Sequence, residues 1–365
     1  MIRSCDVGSL PLINDERRFL EGATSPERLT NESVRYFEKK VTEAFVHKIE
    51  AGIDVPSYPQ FRDMNQMFLE MIDGVRKDDG GYMETEVLSL PTDKNRIPEV
   101  SAIEKSSRAI YERLGEPFKL RVCVTGPYTL SSLFVYQDSG IFTRLGNVIS
   151  QIAENSVFNG KYGGVALVVV DEPTFGLLDD PLIDRGSEGR ENLRKAWDSI
   201  LHKAKSKGTQ TCLHLHNTAD SLFWEIESLN IIESHVKDPL YHMKRTRELL
   251  ESADKFIKAS ICITDFDRLI NNRIVANSKQ ELDELSVNQR VAEVWKDIAH
   301  KRLDPKILLE EEKTMERRLI KTIESFGAER VPYAGPECGL RSFPSYEAAL
   351  ECLRRVSKTV KKLQD

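Results

Sequence analysis

Short runs of apolar residues alternate with longer stretches in which apolar positions recur every three to four residues, from one end of the chain to the other. The short runs read as β-strands and the longer ones as amphipathic helices, which is the pattern of a parallel α/β architecture. Strands are expected at residues 4–10, 53–57, 120–125, 165–170, 210–216, 230–233, 257–263 and 330–334. Eight strands separated by helices predict a closed (β/α)8 TIM barrel rather than an open sheet. The run at 165–170 is wholly apolar, as expected of a strand buried on both faces. Phe37, Val41, Phe45 and Ile49 stand at four-residue steps and predict a core-facing helix that stops at Gly52.

Two stretches interrupt this rhythm. Residues 77–95 are polar, with Asp78-Asp79-Gly80-Gly81, and read as a loop or hairpin insertion. Residues 265–319 carry long, highly charged helical patterns and read as an enlarged crossover, so residues 1–365 are expected to form one barrel domain with insertions.

Composition changes this picture little. The chain is 40% hydrophobic and 30% charged, enough apolar material for a large core. A net charge of −6 and a pI near 5.8 leave no dominant basic face for nucleic acid or an anionic membrane. No stretch approaches the ~20 apolar residues of a membrane span, and the N-terminus lacks the apolar run of a secretory signal, so a cytoplasmic protein is expected. The six cysteines are widely scattered, unlike a secreted disulfide scaffold, and each reads as a buried small hydrophobe or a ligand.

Chemistry in a TIM barrel gathers at the C-terminal ends of the strands. There the chain carries Gly8-Ser9, then Tyr58 in a loop with Arg62 and Asp63, then Thr125-Gly126-Pro127 and Asp171-Glu172-Pro173. Alternation along residues 211–218 puts His214, His216 and Thr218 on one strand face. Glu233 ends the sixth strand, and Gly335-Pro336-Glu337-Cys338-Gly339-Leu340 follows the eighth. Singly, each has a plain structural alternative: a turn at Gly8-Ser9, a hydrogen-bonded histidine pair in the core, a helix contact for Glu233, a buried thiol at Cys338. The adjacent Asp171 and Glu172 point more directly to function, because two carboxylates beside an apolar core need a cation, a metal or a proton.

Taken in order, these strand endings resemble the catalytic barrel of the cobalamin-independent methionine synthase family, in its short single-barrel form. The resemblance covers nearly the whole chain and rests on Gly8-Ser9, Thr125-Gly126-Pro127, Asp171-Glu172-Pro173, His216, Glu233 and the segment 335–340. It implies a Zn2+ ion held by His216, Glu233 and Cys338, which also carry the catalysis, with an open position for the substrate sulfur. It also implies Gly8, Ser9, Tyr58, Asp171 and Glu172 as the substrate-binding residues. Two positions depart from the family. Thr218 stands where the family has a second cysteine ligand, and a neutral hydroxyl is a poor zinc ligand beside a thiolate. Tyr58 stands where the family has a glutamate for the homocysteine ammonium, which leaves Asp171 as the anionic partner and makes a carboxylate or sulfonate thiol an alternative acceptor.

The function expected on this basis is zinc-dependent transfer of a methyl group to homocysteine or a related small thiol. The donor would be methylcobalamin, a methylated corrinoid protein or a methylated pterin, with neither nucleic acid nor a membrane as partner. Two alternatives remain: a zinc-dependent thiol alkyltransferase using another electrophile, and a non-catalytic paralogue that binds a small molecule or a partner.

Overall fold

The eight expected strand positions do lie side by side. The computed structural model describes residues 1–11, 15–25, 31–278 and 283–363. Its strands are β1 (Arg3–Ser4), β2 (Asp73–Asp78), β3 (Gly81–Ser89), β4 (Phe118–Thr125), β5 (Asn159–Gly160), β6 (Gly163–Glu172), β7 (Gln210–Leu215), β8 (Ile231–Glu233), β9 (Phe256–Cys262) and β10 (Tyr333–Pro336). The main sheet runs β1-β10-β9-β8-β7-β6-β4, every neighbour in that path parallel.

The remaining gap, between β1 and β4, is filled by residues 55–57. Val55 bridges Cys5 and Ser57 bridges Arg121, both in parallel sense. Val55 N–H donates to the Ser4 carbonyl at 3.0 Å, and Arg121 N–H to the Pro56 carbonyl at 2.8 Å. These bonds make the eighth stave and complete a TIM barrel.

The first stave differs from its expectation. Only Arg3 and Ser4 form regular ladder, and Cys5 and Ser9 make single bridges. The cause lies in Asp6 and Gly8. Asp6 uses its carboxylate on Lys48 Nζ (2.7 Å) and on Ser57 N–H (2.7 Å), while Gly8 has a φ of +134° that ordinary residues avoid. The fourth apolar run, by contrast, extends beyond its expected end, so Asp171 and Glu172 are the last two residues of β6.

Helices pack outside the staves. The helix Glu32–Glu50 is capped by the Asn31 side chain and buries Phe37, Val41 and Phe45. It ends at Gly52, whose φ is +96°. The polar stretch after the second stave forms the antiparallel hairpin β2–β3, turning at the Asp-Asp-Gly-Gly sequence. The charged segment before β10 forms the helices Phe266–Asn277, Glu284–Ala299 and Glu312–Phe326; its residues 279–282 lie outside the described residues. Among the described residues, no helix is long and apolar enough to cross a membrane.

Candidate metal centre

Parallel pairing sets the site. In register, Asp171 of β6 lies beside His214 of β7, and His214 lies beside Glu233 of β8. Two residues further along each strand, alternation returns the chain to the same face. His216 and His235 are therefore carried to the mouth above His214 and Glu233. The turn after β10 brings Cys338 to them: its Sγ is 3.6 Å from His216 Nε2. The His216 and His235 rings are 4.0 Å apart, centroid to centroid, and His214 lies 5.3 Å from His216.

One donor atom each from His214, His216, His235 and Cys338 fall within 4.8 Å of one another. Tetrahedral zinc with bonds of about 2.0–2.3 Å spaces its donors about 3.5 Å apart, so an ion at the centre requires only a modest contraction. The hydrogen bonding fits such an ion as well. Both ring nitrogens of His214 and Nε2 of His235 are buried atoms with no hydrogen-bond partner, a costly condition that a metal on the two Nε2 atoms would relieve in part. Burial pushes the Cys338 thiol up, yet the contacts with His214, His216 and His235 outweigh it and leave the thiol well below its ordinary value. His214 is buried, whereas the other three are half-buried toward the mouth.

The residues expected from sequence divide around this cluster. His216 and Cys338 are in it. Glu233 lies beneath it, completely buried, with its carboxylate on Arg121 and Lys258 and 3.0 Å from His214 Nδ1. Thr218 is turned away: its hydroxyl donates to the Asp238 carboxylate, which also accepts from Thr218 N–H at 3.1 Å. His235, two residues after Glu233, takes part instead.

Asp171 is buried beside His214, and its Oδ1 has no hydrogen-bond partner. Burial pushes its carboxyl up to about 7, against the pull of His214 and Arg121. The adjacent Glu172 faces the helix layer, accepting from Tyr128 N–H (2.9 Å), Thr129 N–H (2.6 Å) and the Trp197 indole (2.7 Å). Gly126 makes room for it, since a Cβ there would lie 2.1 Å from Glu172 Oε1. Glu172 thus shapes the wall of the site and has no free oxygen for a ligand. Tyr58 is also fully buried, its hydroxyl donating to the Cys123 carbonyl at 2.9 Å.

Gly8 and Ser9 meet the cysteine turn directly. Leu340 N–H donates to the Ser9 carbonyl at 2.9 Å, and a Cβ on Gly339 would lie 1.9 Å from Ser9 Oγ. Glu337 locks the turn from its other side by accepting from Val236 N–H (2.9 Å) and Thr264 N–H (3.3 Å).

Four residues that sequence reasoning passed over support this arrangement. Arg121 and Lys258 are charges in the middle of apolar strands, and Lys48 lies on the apolar face of its helix; those positions were the available signal. His235 had a weaker one, its two-residue step from Glu233. A cavity of about 740 Å3 lined by Phe37, Arg62, Met67, Met71 and Arg96 lies apart from the cluster and includes none of its residues. The buried ionisable groups Asp171, His214 and Glu233 converge beneath the cluster instead.

No protein-family model and no curated protein sequence matches the chain. Solved structures do. A B12-independent methionine synthase from Shewanella sp. W3-18-1, solved with selenomethionine, superposes with a TM-score of 0.61 at 14% identity, over 100% of this chain and 99% of that one. A putative vitamin-B12-independent methionine synthase from Listeria monocytogenes gives 0.58 at 15% identity, over 100% and 99%. A methyltransferase from Methanosarcina mazei gives 0.57 at 11%, over 100% and 94%. The chain shares the barrel fold of these proteins along its full length.

Proposed function

We propose that this chain is a zinc-dependent methyltransferase of the cobalamin-independent methionine synthase type, acting on homocysteine or a related small thiol. The observation that carries the reading is the convergence of His214, His216, His235 and Cys338 at the mouth of a barrel of that fold. Zinc bound there would supply a redox-inert Lewis acid that keeps the acceptor sulfur as a thiolate at neutral pH. His216 and Cys338 would hold the ion, joined by His214 and His235. The thiolate attacks the methyl carbon of a methyl-corrinoid or methylated pterin, forming one S–CH3 bond as the donor's Co–C or N–C bond breaks and the demethylated donor leaves with the bonding pair.

The surrounding residues orient the acceptor. Asp171, with one carboxylate oxygen unsatisfied, is the group that takes the thiol proton or the substrate ammonium. Ser9, against the cysteine turn, offers a hydroxyl to the acidic end of the substrate. Tyr58, fixed to the Cys123 carbonyl, supplies no negative charge, so an acceptor bearing only a carboxylate or sulfonate fits alongside homocysteine. Such a protein works in the cytoplasm and takes its methyl group from a soluble donor, free or carried by a corrinoid protein.

One observation favours a second reading. Three imidazoles and a thiolate already fill a tetrahedral shell, as in sites that bind without catalysing. Zinc-loaded protein incubated with methylcobalamin or a methylated pterin and a panel of thiols separates the two. Loss of free thiol with appearance of the methyl thioether supports the methyltransferase. Full zinc loading with no methyl transfer from any pairing supports the binding protein.

A further inference from the structure

Glu233 holds the position from which the family resemblance derives a metal ligand, yet its surroundings describe a different task. Its side chain and those of Arg121 and Lys258 are completely or almost completely buried. Arg121 engages both carboxylate oxygens, Nη1 meeting Oε2 at 3.0 Å and Nη2 meeting Oε1. Lys258 Nζ adds a third cationic contact to Oε2 at 3.0 Å. To reach a metal at the mouth, the carboxylate would have to leave two cations uncompensated inside the barrel, among the most unfavourable rearrangements open to a folded protein.

From where it stands, the carboxylate faces His214 instead. The two residues are register partners on adjacent parallel strands, and Glu233 Oε1 lies 3.0 Å from His214 Nδ1. Nδ1, like Nε2, is a buried atom with no aligned hydrogen-bond partner, so a metal taking Nε2 would leave the proton on Nδ1, where a small rotation of the ring aims it at the Glu233 carboxylate. Carboxylates that accept from the far nitrogen of a metal-bound imidazole fix its tautomer and ring orientation. Lys258 extends the same clamp: its Nζ also donates to the Pro336 carbonyl at 2.8 Å, two residues before Cys338. One buried ammonium therefore ties the carboxylate behind His214 to the strand that delivers the thiolate.

We propose that Glu233, clamped by Arg121 and Lys258, is a positioning residue that orients His214 toward the metal and is not itself a ligand. The inference rests on the cluster holding a metal, as argued above.

The test uses the full chain loaded with zinc or with cadmium-113. Two variants are compared with wild type: Glu233→Gln, and Glu233→Gln combined with Lys258→Met. The double variant removes one negative and one positive charge, leaving the buried net charge unchanged should the single variant fail to fold. The cadmium-113 chemical shift reads the donor set, chelator competition reads zinc affinity, and the nitrogen-15 spectrum of the zinc-loaded protein reads the His214 Nδ1–H. The expected result is an unchanged cadmium shift, an affinity about 10- to 100-fold weaker, and a shifted His214 Nδ1–H resonance. A cadmium shift that moves as an oxygen donor is lost overturns the inference, as does unchanged affinity with an unchanged Nδ1–H resonance. Wild-type protein that takes up no metal refutes the function proposed above, a result distinct from a metal-loaded protein whose donor set includes Glu233.

Discussion

Lys48→Met tests how the interior of the barrel holds its first stave. Lys48 is buried on a helix that otherwise shows the core apolar side chains, and its ammonium uses three acceptors: Asp6 Oδ2 at 2.7 Å, the Gly8 carbonyl at 2.9 Å and the Ser57 carbonyl at 3.1 Å. Methionine fills a similar volume but provides no donor. The substitution leaves a buried carboxylate without its cation and the Ser57 carbonyl without its Lys48 donor, while the Gly8 carbonyl keeps the Gln60 N–H; breaking a buried pair by deleting one partner costs about 3–5 kcal/mol. Replacing both members removes the uncompensated charge, because a buried ion pair exchanged for well-packed apolar groups is close to neutral; the Ser57 carbonyl stays without its donor as in the single variant, and Ser57 N–H also loses its acceptor at about 1–3 kcal/mol. The assay is urea unfolding of wild type, Lys48→Met and the pair Lys48→Met with Asp6→Leu. The single variant should be the least stable of the three. Because Gly8-Ser9 abuts the cysteine turn, it should also weaken metal binding. A loss below about 1 kcal/mol from Lys48→Met, smaller than any buried pair of this geometry allows, would refute the reasoning.

Two further outcomes follow from the site. Thr218→Val should lower stability by about 1–2 kcal/mol through loss of the hydroxyl contact to buried Asp238, while leaving metal stoichiometry unchanged; a fall in bound metal would show that the hydroxyl reaches the ion. Asp171 is held in the fold at about 7 rather than its ordinary 3.8. Between those values the folded state binds the extra proton, so this group's contribution to metal-free stability falls as pH rises from about 4 to about 7, by at most about 4 kcal/mol. Asp171→Asn should flatten that part of the stability–pH curve, and a slope equal to that of wild type would contradict it.

Much of the barrel was legible because its strands announce themselves. The apolar run around Val168 and the residues leading to Ser57 became staves in the expected order. Alternation also contained the separate fates of Asp171 and Glu172: neighbours on a strand face opposite ways, one to the barrel interior and one to the helix layer. The interior chemistry was harder to see. A charge within a strand is ordinarily read as facing solvent, but Arg121, Glu233 and Lys258 point inward from strands distant in sequence and compensate one another. That compensation depends on barrel closure, which no local pattern encodes. The same holds for Thr218, whose partner Asp238 comes from the loop after a different strand.

The central claim is a metal at His214, His216, His235 and Cys338 that accepts a thiol. Zinc content together with a zinc-edge absorption spectrum, recorded with and without a small thiol acceptor, tests it most directly. The account predicts close to one zinc per chain, a first shell of nitrogens with one sulfur, a second sulfur on adding the acceptor, and loss of most of the metal in Cys338→Ala. A folded protein free of zinc in wild type and variant alike would contradict it.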